Sequence, residues 1–196
     1  VLVLTVLEQI LLANAASPLR KTLMDSGLGS ALCDASGFDA DNRDTLFVAG
    51  LKDTAPESQQ RVAEIIMDVM QKLADEGIDK ELIESALHQI EFSRKEVTNT
   101  PYPYGLRLLL MMIGGWLHGG DPEKILRLDS DMQRLRSEIE QGPFLEGRIR
   151  SYFLENRHRI SMILAPDQQK ERKETEQIRQ KLKQRIQKLT SAHLQE

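Results

Sequence analysis

Apolar residues in this chain recur mostly at steps of three and four, with short polar or glycine-bearing breaks between the runs. Residues 1–13 offer Leu4, Leu7, Leu11 and Leu12 to one face and predict a helix, which Asn14-Ala15-Ala16 interrupts. Ser17 and Pro18 then supply an N-cap and a first helical residue, and Leu19, Leu23 and Met24 follow at helical spacing. Asp25-Ser26-Gly27 stops this second helix. Gly27 and Gly29, flanking Leu28, allow the backbone to leave through conformations closed to a side chain. The stretch Ala15 to Gly29 therefore reads as a corner from helix into sheet. Residues 30–38 (SALCDASGF) and 45–51 (TLFVAGL) are short and β-prone, and the polar DADNRD between them predicts an antiparallel hairpin.

Beyond the hairpin the helical period returns. Thr54 and Glu57 have capping-box spacing ahead of Val62, Ile65, Ile66, Val69, Met70 and Leu73, a one-sided stripe. Gly77 ends that helix. Asp79 caps the next, which carries Leu82, Ile83, Ala86, Leu87 and Ile90, and the short turn predicts antiparallel packing of the pair. After the breaker TNTPYP, residues 104–117 (YGLRLLLMMIGGWL) are apolar on nearly every side, the signature of a helix buried between other elements. Helices are expected near 122–140 and 143–155, and RISMIL (159–164) reads as a closing strand. The fold class is α+β: a partial antiparallel sheet of about three strands packed on several helices, with a charged C-terminal helix arm. Residues 1–165 form the domain and 166–196 the arm.

Composition narrows the function. A chain of 196 residues, 40% hydrophobic and 29% charged, buries a real core, and 5% aromatic content leaves the packing to Leu, Ile, Val and Met. Cys33 is the only cysteine, which excludes an internal disulfide and a cysteine-built zinc site and suits a reducing compartment. The N-terminal run VLVLTVLEQILLANAA lacks a basic leader and is interrupted by Glu8 and Gln9, so neither a signal peptide nor a membrane span is expected. A domain that enters inside an uncapped helix is expected to be a piece of something longer. Residues 167–196 hold eight Lys or Arg against five Asp or Glu, a local +3 on a chain of net charge −4. Ile178, Leu182, Ile186 and Leu189 form one narrow stripe there. Glu171, Glu174 and Glu176 would repel phosphate, so a solvated face on a partner helix is preferred to a nucleic-acid arm.

Candidate chemistry is sparse. His88-Gln-Ile-Glu91 lies on a helix, but the other position one turn away is Glu84, and a surface histidine explains His88 better than a metal ligand. His118 ends a helix, where it complements the dipole, and His158 and His193 stand apart. Ser17, Ser26 and Ser36 lack a nucleophile elbow, and Gly27-Leu-Gly29 lacks phosphate-loop spacing. Trp116 and the pair Met111-Met112 read as core. No catalytic, cofactor-binding or metal residue is assigned.

Four blocks nevertheless stand in a recognisable order: SPLRKTLMDSGLG with a hairpin ending LFVAGLK, then LIESALHQIEFSRKE, GWLHGGDPEKIL and YFLENRHRISMILAPD. Together they resemble the insulinase-like (pitrilysin-type) zinc metallopeptidases, in the presequence-protease branch, over nearly the whole chain. The resemblance implies an enzyme of four related α+β domains in two halves, closing as a clam-shell around unfolded peptides. In it a zinc-activated water attacks the peptide carbonyl with a Glu as general base. This chain would be the latter part of the second, non-catalytic domain, and residues from about 167 the first arm of the hairpin linking the halves. The zinc motif of such enzymes is His-x-x-Glu-His in the first domain. It is absent here, so the resemblance gives no metal role to His88 or Glu91 and no chamber-wall role to Arg20, and the piece alone is expected to be inert. The implied partners are the remaining domains and peptide substrates, with self-association through an exposed sheet edge. The implied compartment is bacterial cytoplasm or an organelle matrix. A non-enzymatic scaffold or core subunit of the same fold is the alternative.

Overall fold

The computed structural model describes residues 1–99 and 101–188. Residues 1–161 form one compact unit and residues from 162 onward a second.

The first unit is built around α1 (Leu2–Leu12), whose Val6, Leu7, Ile10 and Leu11 are almost wholly excluded from solvent. Valine and isoleucine between the predicted leucines widen the apolar face, so the helix is covered on several sides. Its neighbours are α2 (Pro18–Asp25), α4 (Lys80–Lys95) and the short strand β2 (Gly37–Asp39). Glu8, which looks like an interruption in the sequence, anchors the strand: its Oε1 accepts the Phe38 amide at 3.1 Å. A Cβ on Gly37 (φ +141°) would stand 2.6 Å from the same oxygen.

The corner after α1 is stitched by Ser17, which is fully buried. Its backbone occupies the N-cap position of α2, but its hydroxyl serves α1 instead, accepting the Asn14 amide at 3.2 Å and donating to the Gln9 carbonyl at 3.4 Å. Gly27 adopts φ +65°, the left-handed turn expected at a helix end. Gly29 is needed for proximity: a Cβ there would lie 2.5 Å from the Lys52 carbonyl oxygen.

The expected two-stranded hairpin is divided in two. β1 (Ala31–Leu32) pairs antiparallel with β4 (Leu51–Lys52), and β2 pairs antiparallel with β3 (Leu46–Val48), with Phe38 opposite Phe47. The break has a local cause. The Ser36 amide closes a turn onto the Cys33 carbonyl, so residues 33–36 buckle opposite Ala49-Gly50 and the ladder is interrupted.

The capping box does not form. Thr54 donates back to the Lys52 carbonyl, and a 3₁₀ turn (Pro56–Ser58) leads into α3 (Gln59–Glu76) without a side-chain cap. Asp79 does cap α4, accepting the Glu81 amide at 2.8 Å. The two helices do not pair along their lengths as expected. The stripe of α3 is taken by α2, by α8 (Phe144–Ile149) and by the π-helical turn Arg150–Leu154, while that of α4 is taken by α1. Glu146 accepts the Ile78 amide at 3.0 Å. Arg150 donates to the Ala74 carbonyl at 2.7 Å and to Asp75 at 2.6 Å, so the C-terminal end of α3 is clamped.

Three further expectations are corrected. α5 (Tyr104–Leu117) is not enclosed: Gly114 alone along it is buried, and Trp116 and Leu117 are 57% and 75% exposed. Its helical neighbour is the short α6 (Pro122–Leu126), while Asp41 of the β2–β3 loop sits against Gly114, where an added Cβ would meet the Asp41 Cα at 2.9 Å. The predicted helix near 122–140 breaks at Arg127 (ψ 57°) before α7 (Leu128–Glu140). The predicted closing strand is the third correction. Residues 159–164 carry no ladder, because the described strands pair with one another; Gln59 donates to Ser161 at 2.8 Å, and Ile160 is 91% exposed.

In the second unit α9 (Lys170–Lys188) is the charged arm, with Ile178, Leu182 and Ile186 all exposed; Leu189, the fourth member of the stripe, lies outside the described residues. Lys173 reaches Asp167 at 3.2 Å ahead of the first turn.

Close approach and open space give opposite results for the same substitution. Gly29→Ala should lower unfolding free energy by about 1–3 kcal/mol, whereas Gly105→Ala, in a helix with nothing near its Cβ, should raise it by about 0.5–1 kcal/mol. Urea titrations of both variants measure the contrast, and an unchanged or raised stability for Gly29→Ala would contradict the packing at Gly29. The α3 clamp is also pH-dependent. Hydrogen bonds from Gln71 and then Arg150 hold the Asp75 carboxyl below the ordinary range. Its contribution is complete above the unfolded aspartate value of about 3.9 and disappears as pH falls through its own lower value. The stability gap between wild type and Asp75→Asn should thus be flat near neutrality and close on the acid side.

Candidate functional site

The histidine motif is the first place to look for chemistry. Glu84, His88 and Glu91 follow one another at helical steps of four and three along α4, so their side chains emerge on one side of it. The two carboxylates are already engaged. Arg136 of α7 spans them, its Nη1 on Glu84 at 2.9 Å and its Nη2 on Glu91 at 3.4 Å. Burial works against the Arg136 charge, but the two carboxylates outweigh it and raise its pKa above the usual value. What the sequence offers as a ligand pair is an ionic clasp between two helices, with His88 exposed beside it.

The remaining candidates serve local structure. His118 caps the end of exposed α5 through its backbone, and the His158 amide donates to Asn156 at 2.9 Å; His193 lies outside the described residues. Ser26 donates to the Leu23 carbonyl at 2.6 Å and accepts the Leu28 amide, tightening the corner. Ser36 lies 3.0 Å from Cys33 Sγ within its turn. Arg20 reaches the Leu12 carbonyl at the end of α1. Trp116, read as core, is exposed, and Met111 contacts the guanidinium of Arg94. Among the described residues no group of three or more His, Cys, Asp and Glu side chains stands close enough to hold a metal ion. These described residues do not fit a zinc centre. Among the described residues no helix is long and apolar enough to cross a membrane.

Sequence reasoning passed over one cleft. A cavity of about 280 Å³ opens between the end of α4, α5 and α6, walled by Arg94, Lys95, Tyr104, Leu108, Met111 and Leu126. Arg107 crosses from α5 to donate to the Ser93 and Glu96 carbonyls, satisfying the frayed end of α4. Lys95 pairs with Asp129 at 3.1 Å on the rim. Burial first, and the neighbouring Arg107 second, lower the pKa of Arg94. Arg94-Lys95 reads in the sequence as an ordinary basic helix end, and nothing there signals that α5 leaves an open wall beside it.

Comparison with known proteins places these elements in context. Residues 1–90 match the family model of the peptidase M16 inactive domain. The chain is 37% identical over 172 residues to presequence protease 1, chloroplastic/mitochondrial, of Arabidopsis thaliana, an alignment covering 86% of this chain and 16% of that protein. It is 29% identical over 194 residues to the mitochondrial presequence protease of Mus musculus, covering 98% of this chain and 18% of that one. Protein HypA of Clostridium perfringens is 30% identical over 177 residues, covering 90% of this chain and 18% of its own length. The chain thus spans less than a fifth of the length of these curated relatives.

The clasp on α4 makes a graded prediction. Glu91 is the less exposed of its two carboxylates, at 28% against 57% for Glu84. Glu91→Gln should therefore destabilise by about 1 kcal/mol, and Glu84→Gln by about half that or less. Both effects should shrink in strong salt, as followed by urea unfolding. A larger loss for Glu84→Gln would overturn the ordering.

Proposed function

The chain belongs to the insulinase-like (M16) peptidases, in their presequence-protease branch, and from that membership we propose that it is a non-catalytic segment of a zinc metalloendopeptidase acting on unfolded oligopeptides. On this reading residues 1–165 are the latter part of a non-catalytic domain that contributes wall to a closed chamber. Residues 166–196 are the first arm of the helical hairpin joining the two halves. The observation that carries the reading is the match of residues 1–90 to the inactive domain of the family. It is supported by the α4 face, where Arg136 occupies the carboxylates that a metal would need.

The zinc and the residues that act on the peptide bond would then come from other domains of the same polypeptide, which are the chain's first partners, with peptide substrates the second. No catalytic, cofactor-binding or metal role is assigned to any residue of this chain. The two-stranded ladders leave strand edges on which further chain can pair, whether from the same polypeptide or from a second copy. An organelle matrix or a bacterial cytoplasm is the proposed setting. Relatives named as mitochondrial or chloroplastic, and one from a bacterium, support that pair of alternatives.

The direct test is to supply the 196-residue chain with stoichiometric zinc and an unfolded fluorogenic peptide. The expected result is no hydrolysis above the metal-only control and no tight zinc uptake by equilibrium dialysis. Zinc bound one-to-one with turnover would overturn the assignment.

A further inference from the structure

The cleft beside α5 contains a charge that the fold leaves unanswered. Arg94 is half-buried there, and its one hydrogen-bond partner among the described residues is the Met111 thioether, a weak acceptor. Arg107 adds a second guanidinium, its hydrogen bonds given to backbone carbonyls at the end of α4. The acid on the wall, Asp129, is bound by Lys95 at 3.1 Å. A cation withdrawn from water without a carboxylate or equivalent acceptor is unfavourable, and a bound anion relieves both its desolvation and the repulsion from Arg107. The rest of the wall is apolar: Tyr104, Leu108, Met111 and Leu126 surround a space of about 280 Å³, near the small end of ligand sites and sufficient for a side chain or two.

We propose that this cleft is a peptide-binding subsite that seats a carboxylate on Arg94 while an apolar side chain next to it packs against Leu108, Met111 and Leu126. The charged group and the apolar wall select together. A free anion uses only the first, and a neutral apolar peptide only the second. The inference does not rest on the peptidase reading, because the recognition is set by this cleft alone, and binding is measurable without any hydrolysis.

The test uses the 196-residue chain and three fluorescein-labelled, end-capped hexapeptides that differ at two central positions: Leu-Glu, Leu-Gln and Ala-Glu. By fluorescence anisotropy the Leu-Glu peptide should bind at least about tenfold more tightly than the Leu-Gln peptide, and more tightly than Ala-Glu. Arg94→Gln should abolish the preference for Glu with helical circular dichroism unchanged, and Arg94→Lys should keep part of it. Equal binding of Leu-Glu and Leu-Gln, absence of binding, or a preference that survives Arg94→Gln would each overturn the proposal. Ala-Glu binding as tightly as Leu-Glu, with both displaced by inorganic phosphate, would reduce the cleft to a general anion site and also overturn it. Should Arg94→Gln lose its helical signal, Leu126→Asp places a repelling carboxylate on an exposed part of the wall. That variant must weaken the Leu-Glu peptide more than the Leu-Gln peptide, and equal effects would refute the assignment.

Discussion

The first unit depends on the enclosure of one eleven-residue helix. α1 buries Val6, Leu7, Ile10, Leu11 and Leu12, and such burial is worth on the order of 10 kcal/mol in total. That is comparable with the whole net stability of an ordinary domain. Each neighbouring element is shaped by the need to reach this helix. α2 turns back onto it through Ser17, β2 is hung from it by Glu8, and α4 closes another side with Ile83, Leu87 and Ile90. The polar groups inside this arrangement are bonded, and among the described residues no buried side-chain nitrogen or oxygen lacks a partner.

Once α1 is covered, the remaining helices divide by what they have left to bury. α3 joins the core through Val62, Ile65, Val69 and Met70, and α8 brings Leu145 and Ile149 against it with the Glu146 and Arg150 clamp as fastening. α7 supplies Met132 and Leu135 and is tied to α4 through Arg136. α5 receives little of this cover. Its leucines and Trp116 outnumber the neighbours that this chain offers them, and the cleft at its edge follows from that shortage.

Period and punctuation made most elements legible from the residues alone. The one-sided stripes of α3 and α4, the stop at Gly77, the cap at Asp79 and the corner at Gly27 could be placed because each depends on neighbours within a turn or two. The misreadings share a different cause. Thr54 has capping-box spacing, yet the chain prefers a 3₁₀ turn at Pro56, and its hydroxyl returns to Lys52. The all-apolar stretch 104–117 implied burial because sequence records hydrophobicity and not the supply of partners. RISMIL has strand composition, but a strand also needs a ladder. At the candidate site the lesson is the same. His88 and Glu91 were visible as a motif, whereas Arg136, forty-five residues from Glu91, decides what that face does.

The closure of α1 by α4 also has a consequence in time. The residues that meet across that contact are separated by some eighty positions, so the innermost layer cannot be completed by local pairing. During synthesis α1 and α2 emerge before α4 with an apolar side uncovered, and they must wait for Ile83, Leu87 and Ile90 to leave the ribosome. Synthesis of the intervening residues at about 5–20 residues per second takes seconds, whereas a helix forms in about a microsecond. In that interval α1 and α2 together present an uncovered apolar side in need of shielding.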